Sequence, residues 1–208
     1  GRREVSLLSE AEEIAIGQRG DAEIRREMGV YHDQELQRYV SGIGERLASV
    51  SHRPSLPWTF AVVDTPAVNA FALPGGYIDI TRGLMAYLDS EAELAGVIGH
   101  EIGHVTARHG VRQQSASTAA GLGAVLGSIL VPGMDNQAGA TLLQTLAQAW
   151  TAGYGREHEL ESDRLGAEYL AKTGYKPQAM IDVIGVLKNQ ELFAAERARR
   201  DGRPLRTY

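Results

Sequence analysis

The chain has 208 residues, of which 43% are hydrophobic and 23% are charged, and these are ordinary values for a globular protein. This length predicts one domain, taken as residues 1–208, that is large enough to bury a sizeable core. The formal net charge of −5 gives no basic surface for nucleic acid. Because the chain has no cysteine, disulfides, thiolate ligands and cysteine nucleophiles are excluded, and any metal must be held by nitrogen and oxygen.

Two helices are predicted near the N-terminus, and both are interpreted as scaffold. Ser9 and Glu12 form a capping-box pattern that opens a helix to about Met28, where Gly29 ends it. Asp33 is the predicted cap of the second helix. The apolar residues of that helix recur at helical spacing: Leu36, Tyr39, Val40, Ile43, Leu47 and Val50.

Three strands are predicted next, at Trp58–Val63, at about Ala70–Leu73 and at Tyr77–Thr81. The turn sequence Pro74-Gly75-Gly76 joins the second strand to the third. These strands predict a small antiparallel sheet directly before the next helix. Spacing alone leaves two interpretations open, a pure scaffold or an edge that accepts an extended peptide as an added strand.

The following helix carries the pattern His-Glu-x-x-His at His100, Glu101 and His104. Ser90 and Glu93 form its capping box. Four residues advance about 400° along an α-helix, so both imidazoles lie on one face and can bind one ion. Zinc takes imidazole nitrogen and keeps a position open for water in catalytic sites, and a neighbouring carboxylate can accept the proton of that water. The competing interpretation, buried histidines bonded to carbonyl groups, is less favoured because it leaves ionisable groups without a ligand.

The helix is predicted to continue past His109 toward Ser115. A third histidine ligand would suit the metzincin pattern, which requires Gly at position 107 and His at position 110. The chain has Ala107 and Gly110 instead, so His109 is interpreted as structural or exposed.

Residues 118–150 predict two helices around a break at Pro132. The apolar run Ala119–Val131 has 13 residues, whereas a membrane-spanning helix needs about 20. A buried or groove-covering helix is therefore favoured over a membrane span, and contact with a membrane surface stays open. No apolar stretch follows Gly1–Glu4, so no signal peptide is predicted in the chain as given. The sequence is compatible with a signal peptide that has been removed.

A second acidic helix, which ends near Lys172, is the expected source of a third ligand. Glu159 and Asp163 lie one turn apart and share a face, so Glu159 would bind the metal while Asp163 holds a ligand imidazole from behind. Helical periodicity equally permits Glu157 with Glu161. A solvated acidic face, with no ligand, is the alternative for all four.

Three segments in this order closely resemble the zinc metallopeptidase superfamily of HtpX, the CAAX prenyl protease and Oma: Asn69–Gly76, His100–His104 and Glu159–Asp163. The likeness covers most of the chain and is closest to the soluble periplasmic BepA/LoiP-like branch. In that family the metal glutamate precedes the aspartate by four residues. The resemblance therefore implies Glu159 as ligand and Asp163 as its supporting carboxylate.

The implied fold class is α+β, mainly helical and gluzincin-like, with the motif helix and the Glu159 helix packed beside the small sheet. The implied activity is that of a zinc-dependent endopeptidase with one Zn²⁺ per chain. His100, His104 and Glu159 would bind the ion and Glu101 would activate water. The family also has a Ser-Thr-His-Pro segment and a later Arg near the metal, which would follow Tyr208, so no residue here is assigned that role.

By resemblance, the substrates are polypeptides, misfolded or damaged envelope proteins in particular, and the location is the bacterial periplasm. The resemblance also allows peripheral or lipoprotein-type attachment to a membrane facing the periplasm, and it leaves the oligomeric state open. The expected substrate platform is the strand at Asn69, Ala70 and Phe71. The alternative hypothesis is a metal-stabilised chaperone or adaptor that binds unfolded outer-membrane proteins with little cleavage, and the intact Glu101 argues against it.

Overall fold

The computed structural model describes residues 8–112, 154–185 and 187. Within these ranges it contains three strands, five helices whose two ends are both described, and a further helical stretch at residues 178–185. In chain order the five helices and three strands are α1 (Glu10–Met28), α2 (Gln34–Ser49), β1 (Thr59–Val63), β2 (Ala70–Leu73), β3 (Tyr77–Thr81), α3 (Arg82–Met85), α4 (Glu91–Thr106) and α5 (Arg156–Lys172). The α+β, mainly helical class is thereby confirmed, while the helices predicted within 118–150 lie outside the described residues.

The two N-terminal helices begin where the capping residues predict. The Glu12 N–H donates to the Ser9 hydroxyl at 3.2 Å, and the Ser9 N–H donates to the Glu12 carboxylate at 2.7 Å. Gly29 ends α1 with a φ of 77°, a value that glycine adopts without steric cost. Asp33 caps α2 by accepting a hydrogen bond from the Leu36 N–H at 2.9 Å.

The sheet has the strand order β1-β3-β2, which corrects the expectation of an antiparallel sheet. β2 and β3 form the predicted antiparallel hairpin around Pro74–Gly76, with Phe71 opposite Asp79. β1 and β3 are parallel, with Ala61 opposite Asp79. The chain reverses direction twice between β1 and β3, so these two strands run the same way, and the central position of β3 makes them neighbours.

The sheet lies between two helical layers because its side chains alternate between two buried faces. Phe60, Val62, Ile78 and Ile80 pack with the apolar residues of α2, α4 and α5 in the main core. On the opposite face, Tyr77 belongs to a second cluster with residues of α1. The layer of α4 and α5, which carries all the candidate ligands, thus rests on a fully buried sheet face.

The outer edge of β1 is closed by the segment between α1 and α2. Val30 forms an isolated antiparallel bridge with Val63, and the Tyr31 N–H donates to the Val62 carbonyl at 3.0 Å. The Gln37 side chain donates to the same carbonyl at 2.9 Å and accepts from the Val62 N–H at 2.8 Å. Among the described residues, β2 is therefore the sheet edge to which no further strand is added.

A buried charge cluster joins β3 to α1. Asp79 is completely buried, and its carboxylate lies 3.5 Å from the Arg25 Nε, which also contacts Asp21 at 3.0 Å. Burial, reinforced by Asp21, raises the pKa of Asp79 above its ordinary value of 3.8, although Arg25 opposes the shift. Asp79 thus keeps its proton in the folded chain at pH values where an unfolded chain has released it.

Asp79→Asn is expected to flatten the pH dependence of stability. Because the folded state binds more protons than the unfolded state above pH 3.8, wild-type stability falls as the pH rises from that value. Asparagine keeps a donor toward Asp21 without this penalty, so the variant should melt higher near neutral pH, by about 2–4 °C for each kcal/mol removed. Thermal melts across pH measure the effect. Asp64→Asn, at an exposed carboxylate, should keep the wild-type dependence of melting temperature on pH. If Asp79→Asn also keeps that dependence, the raised pKa of Asp79 is contradicted.

Helices α4 and α5 pack backbone against backbone through glycines. A Cβ on Gly103 would lie 2.9 Å from the Ser162 carbonyl oxygen, and a Cβ on Gly166 would lie 2.9 Å from the His100 backbone nitrogen. Contacts under 3.0 Å are essentially absent for real Cβ atoms, so only glycine permits this approach. The close contact brings α5 within side-chain reach of the motif histidines.

Helix α4 ends at Thr106, which corrects the prediction that it continues past His109. Arg108 adopts a φ of 58°, a left-handed conformation that a non-glycine side chain rarely takes. Its guanidinium contacts Glu13, which is 1% exposed, and donates to the Leu8 carbonyl at 2.7 Å. These contacts with the N-terminal region hold the turn, after which residues 109–112 form a short helical segment.

Candidate metal centre

The two motif histidines converge on one point, as their spacing predicts. Ser90 caps α4 by accepting from the Glu93 N–H at 3.2 Å. The Nε2 atoms of His100 and His104 lie 3.0 Å apart, with ring centroids separated by 4.6 Å. Two imidazole nitrogens therefore face the same small volume on one side of the helix.

Glu159 on α5 completes the set. Its two carboxylate oxygens lie 3.3 Å from the His100 Nε2 and 3.5 Å from the His104 Nε2. Within the described ranges, these three residues are the group whose ligand atoms are close enough to hold a metal ion, within 4.8 Å of one another. Glu157, the alternative that periodicity left open, is exposed and is not in this group.

The donor set fits a tetrahedral ion. Zinc binds imidazole nitrogen and carboxylate oxygen at about 2.0–2.2 Å, so two ligand atoms at tetrahedral positions lie about 3.3–3.5 Å apart. The distances between the Nε2 atoms and the carboxylate oxygens, 3.3 Å and 3.5 Å, match this separation, and the separation of the two Nε2 atoms, 3.0 Å, is slightly shorter. Two nitrogens and one oxygen suit a catalytic zinc, which keeps one position for water.

Asp163 lies behind His100, as the helical spacing with Glu159 predicted. Its carboxylate is 2.9 Å from the His100 Nδ1, the ring nitrogen that points away from the convergence point. Burial alone would lower the pKa of His100, but hydrogen bonds to Asp163 and Glu159 raise it to about 10. The contact with Asp163 fixes the ring orientation and leaves Nε2 directed at the site.

Glu101 follows His100 on α4 and is not part of the converging set. Burial, together with the charge of Glu159, raises the pKa of Glu101 to about 7, while His100 opposes the shift. A divalent ion nearby would lower this pKa again. Because burial and a bound ion shift its pKa in opposite directions, a carboxyl group at this position is suited to accept and return a proton near neutral pH.

His109 is buried, which agrees with a structural role and excludes the exposed position that the sequence left open. Its Nδ1 lies 2.9 Å from the His104 Nδ1, and its Nε2 lies 2.9 Å from the Glu161 carboxylate. Burial and the neighbouring histidines lower the pKa of His104 to about 2, so this ring is neutral. Sequence analysis does not predict these contacts, because they depend on the turn at Arg108.

Tyr154 is a further residue that sequence analysis did not single out. Its ring stacks on His104 with centroids 4.2 Å apart and an interplanar angle of 23°. His158, one turn further on, stacks on His109 at 4.4 Å and 16°. The spacing of these two rings, four residues apart at the start of the acidic helix, was the available signal.

The expected substrate strand lies beside this site. Asn69 directly precedes β2, and Ala70 and Phe71 begin it. The end of that strand, Ala72 and Leu73, lines one cavity together with residues that include His104. The cavity at the end of β2 is thus bordered by one of the converging ligands, His104.

No helix within the described ranges is both long and apolar enough to cross a membrane. The apolar run Ala119–Val131 lies outside those ranges.

Several proteins of known class are similar in sequence. The chain is 35% identical to the beta-barrel assembly-enhancing protease of Yersinia pestis over 198 residues, which cover 92% of this chain and 40% of that protein. It is 35% identical to the mitochondrial metalloendopeptidase OMA1 of Arabidopsis thaliana over 159 residues, 76% of this chain and 31% of that protein. It is 30% identical to metalloprotease YcaL of Escherichia coli (strain K12) over 183 residues, 85% of this chain and 68% of that protein. The chain thus spans about two fifths of the length of the Yersinia relative.

The family pattern of Peptidase family M48 matches residues 34–198. This range contains the sheet, the motif helix and α5, and therefore all the side chains that converge in the structure. The match covers most of the chain and confirms the resemblance carried by the three motif segments. This chain belongs to peptidase family M48.

Proposed function

We propose that this chain is the catalytic domain of a zinc-dependent endopeptidase. The observation that carries the proposal is the convergence of His100, His104 and Glu159 within 4.8 Å, with Glu101 beside the first histidine. Membership of a metallopeptidase family implies a metal, and the donor set of two imidazoles and one carboxylate suits zinc. His100, His104 and Glu159 would hold the ion.

A zinc ion held there supplies Lewis-acid chemistry, polarising a peptide carbonyl and acidifying water. Glu101 accepts the proton of the attacking water on its carboxylate and passes it to the nitrogen of the leaving amine. Asp163, at 2.9 Å from the His100 Nδ1, keeps that imidazole turned toward the site. Glu101 thus exchanges a proton in both halves of the reaction while His100 and Asp163 stay in place.

Metal content tests this proposal directly. Elemental mass spectrometry of purified protein should find about one zinc per chain. Glu159→Ala should lose the metal, whereas the matched control Glu157→Ala, at an exposed carboxylate on the same helix, should retain it. A wild-type chain that stays free of zinc after incubation with zinc would refute the proposal.

The free edge of β2 is the proposed platform for an extended peptide. The Thr81 N–H donates to the Asn69 carbonyl at 3.1 Å, so Asn69 and Phe71 direct their backbone groups toward β3. In an antiparallel ladder the intervening residues then direct theirs outward. Ala70 and Ala72 therefore present their backbone groups to the open edge, and the Asn69 side chain accepts from the Ala70 N–H at 2.8 Å. A bound peptide would pair with this edge and run toward His104.

Ala72→Pro is expected to raise the KM for peptide hydrolysis about 2- to 10-fold, because it removes one N–H of the open edge and hence about one hydrogen bond to the peptide. Proline is tolerated on edge strands, so the fold should persist. Ala72→Ser keeps the N–H and serves as the control. An unchanged KM in a folded Ala72→Pro variant would exclude β2 as the platform.

The likeness to the beta-barrel assembly-enhancing protease extends the proposal to biology. By that likeness we infer that the substrates are misfolded or damaged envelope proteins, and that the chain acts in a bacterial periplasm or at a membrane facing it. An envelope fraction that accumulates unprocessed polypeptides when Glu101→Gln replaces the wild type would support this role. The same fraction unchanged would argue for another substrate.

A further inference from the structure

The two candidate ligand histidines are supported in different ways. His100 is held directly by a carboxylate, since its Nδ1 contacts Asp163 at 2.9 Å. His104 has no carboxylate behind it among the described residues. Its Nδ1 instead meets the Nδ1 of His109 at 2.9 Å, and the Nε2 of His109 meets the Glu161 carboxylate at 2.9 Å. A carboxylate thus stands behind each ligand imidazole, but behind His104 it acts through a second ring.

If the His104 Nε2 binds a metal ion through its lone pair, the protons on these three side chains have one consistent arrangement. The His104 Nδ1 then carries the proton and donates it to the His109 Nδ1, because a neutral imidazole has one donor and one acceptor nitrogen. The His109 Nε2 must therefore carry the other proton, which it donates to Glu161. Arg112 donates to the same carboxylate oxygen at 3.0 Å and keeps it an acceptor.

The surroundings of His109 hold this arrangement in place. His109 is completely buried and so is Ser162, whose hydroxyl lies 3.3 Å from the His109 Nδ1. The His158 ring stacks on the His109 ring with centroids 4.4 Å apart. The left-handed turn at Arg108 returns His109 toward His104, which a continuous helix would not do.

We propose that His109 and Glu161 are positioning residues that fix the tautomer and orientation of His104 for metal binding. This inference rests on the proposed zinc site. In this proposal, three carboxylates on neighbouring turns of α5 have different roles. Glu159 binds the ion and Asp163 orients His100. Glu161 orients His104 through His109. The geometry also explains why His109 is buried beside the site without being a ligand.

The test is zinc affinity, measured by competition with a chromophoric chelator on the folded protein. His109→Phe replaces the imidazole with an aromatic ring that has no nitrogen, and it should weaken zinc binding about 10- to 100-fold, as loss of a partner behind a ligand histidine commonly does. His109→Gln offers an acceptor oxygen and a donor amide, so it should recover most of the affinity. The spectrum of the cobalt(II)-substituted protein should shift in His109→Phe and return toward that of the wild type in His109→Gln.

Glu161→Ala is the second variant, because its side chain is 34% exposed and its loss leaves the core intact. It should also weaken zinc binding. Glu157→Ala is the matched control, since it removes an exposed carboxylate from the same helix, and it should bind zinc like the wild type.

The contacts from His104 through His109 to Glu161 are called the relay. If His109→Phe and Glu161→Ala bind zinc as tightly as a zinc-binding wild type, the relay is refuted and the proposed zinc site is not. If the wild type itself binds no zinc, the proposed function fails and the relay fails with it. Equal losses in His109→Phe and His109→Gln would also overturn the relay, because packing alone would then explain them.

Discussion

Glu101→Gln is expected to slow peptide hydrolysis about 10²- to 10⁴-fold while leaving the metal bound. The amide has the size of the carboxylate but cannot accept the proton of the attacking water. Glu101 lies outside the set of converging ligand atoms, so its replacement should not change the zinc content. Cleavage of an unfolded polypeptide, followed beside elemental analysis of the same samples, measures both quantities.

The same variant separates the two functional hypotheses. The endopeptidase hypothesis predicts that wild type and variant bind an unfolded polypeptide equally well and that only the wild type cleaves it. Binding by both without cleavage by either would favour the metal-stabilised adaptor. Loss of zinc from Glu101→Gln would contradict the division of roles between Glu101 and the three candidate ligands.

Gly166→Ala is expected to destabilise the fold by about 1–3 kcal/mol, the usual cost of overpacking, and to weaken zinc binding. The new Cβ would lie 2.9 Å from backbone atoms of Gly99 and His100, and a helix backbone cannot move aside locally. Helix α5 must therefore shift away from α4. Glu159 lies two turns before Gly166 on the same face, so the shift separates the carboxylate from both histidines.

Gly42→Ala is the matched control, because Gly42 also lies inside a helix but a Cβ there would meet nothing within 4 Å. It should stabilise the fold by about 0.5–1 kcal/mol through the better helix propensity of alanine. Denaturant unfolding gives both free energies and chelator competition gives both affinities. A Gly166→Ala variant with wild-type zinc affinity would show that the helix contact does not position Glu159.

Local patterns predicted the elements of this fold well and their pairing less well. The capping residues Ser9, Asp33 and Ser90 fixed the starts of three helices, because a cap is a contact between residues three apart. The parallel pairing of β1 with β3 was missed. Strand order depends on which strand occupies the centre of the sheet, and the alternation within a strand carries no information about that.

Local sequence patterns likewise predicted some features of the candidate site and not others. The spacing of His100 and His104 brought two ligands together, since four residues on a helix always share a face. Periodicity left Glu157 and Glu159 as alternatives, and the family resemblance favoured Glu159. Sequence analysis predicts only that His109 is structural or exposed, because its contact with His104 requires the left-handed turn at Arg108, which no local pattern in this sequence indicates.

The closed edge of β1 has a consequence for self-assembly. A sheet with two open edges can add copies of itself without limit, whereas a sheet with one open edge can pair with a second copy only edge to edge, and that pair has no edge left. Val30 pairs with Val63, and Gln37 bonds both backbone groups of Val62 at the outer edge of β1, so within the described structure β2 is the open edge. Strand pairing between copies through this described sheet would therefore join one β2 to another and stop at two.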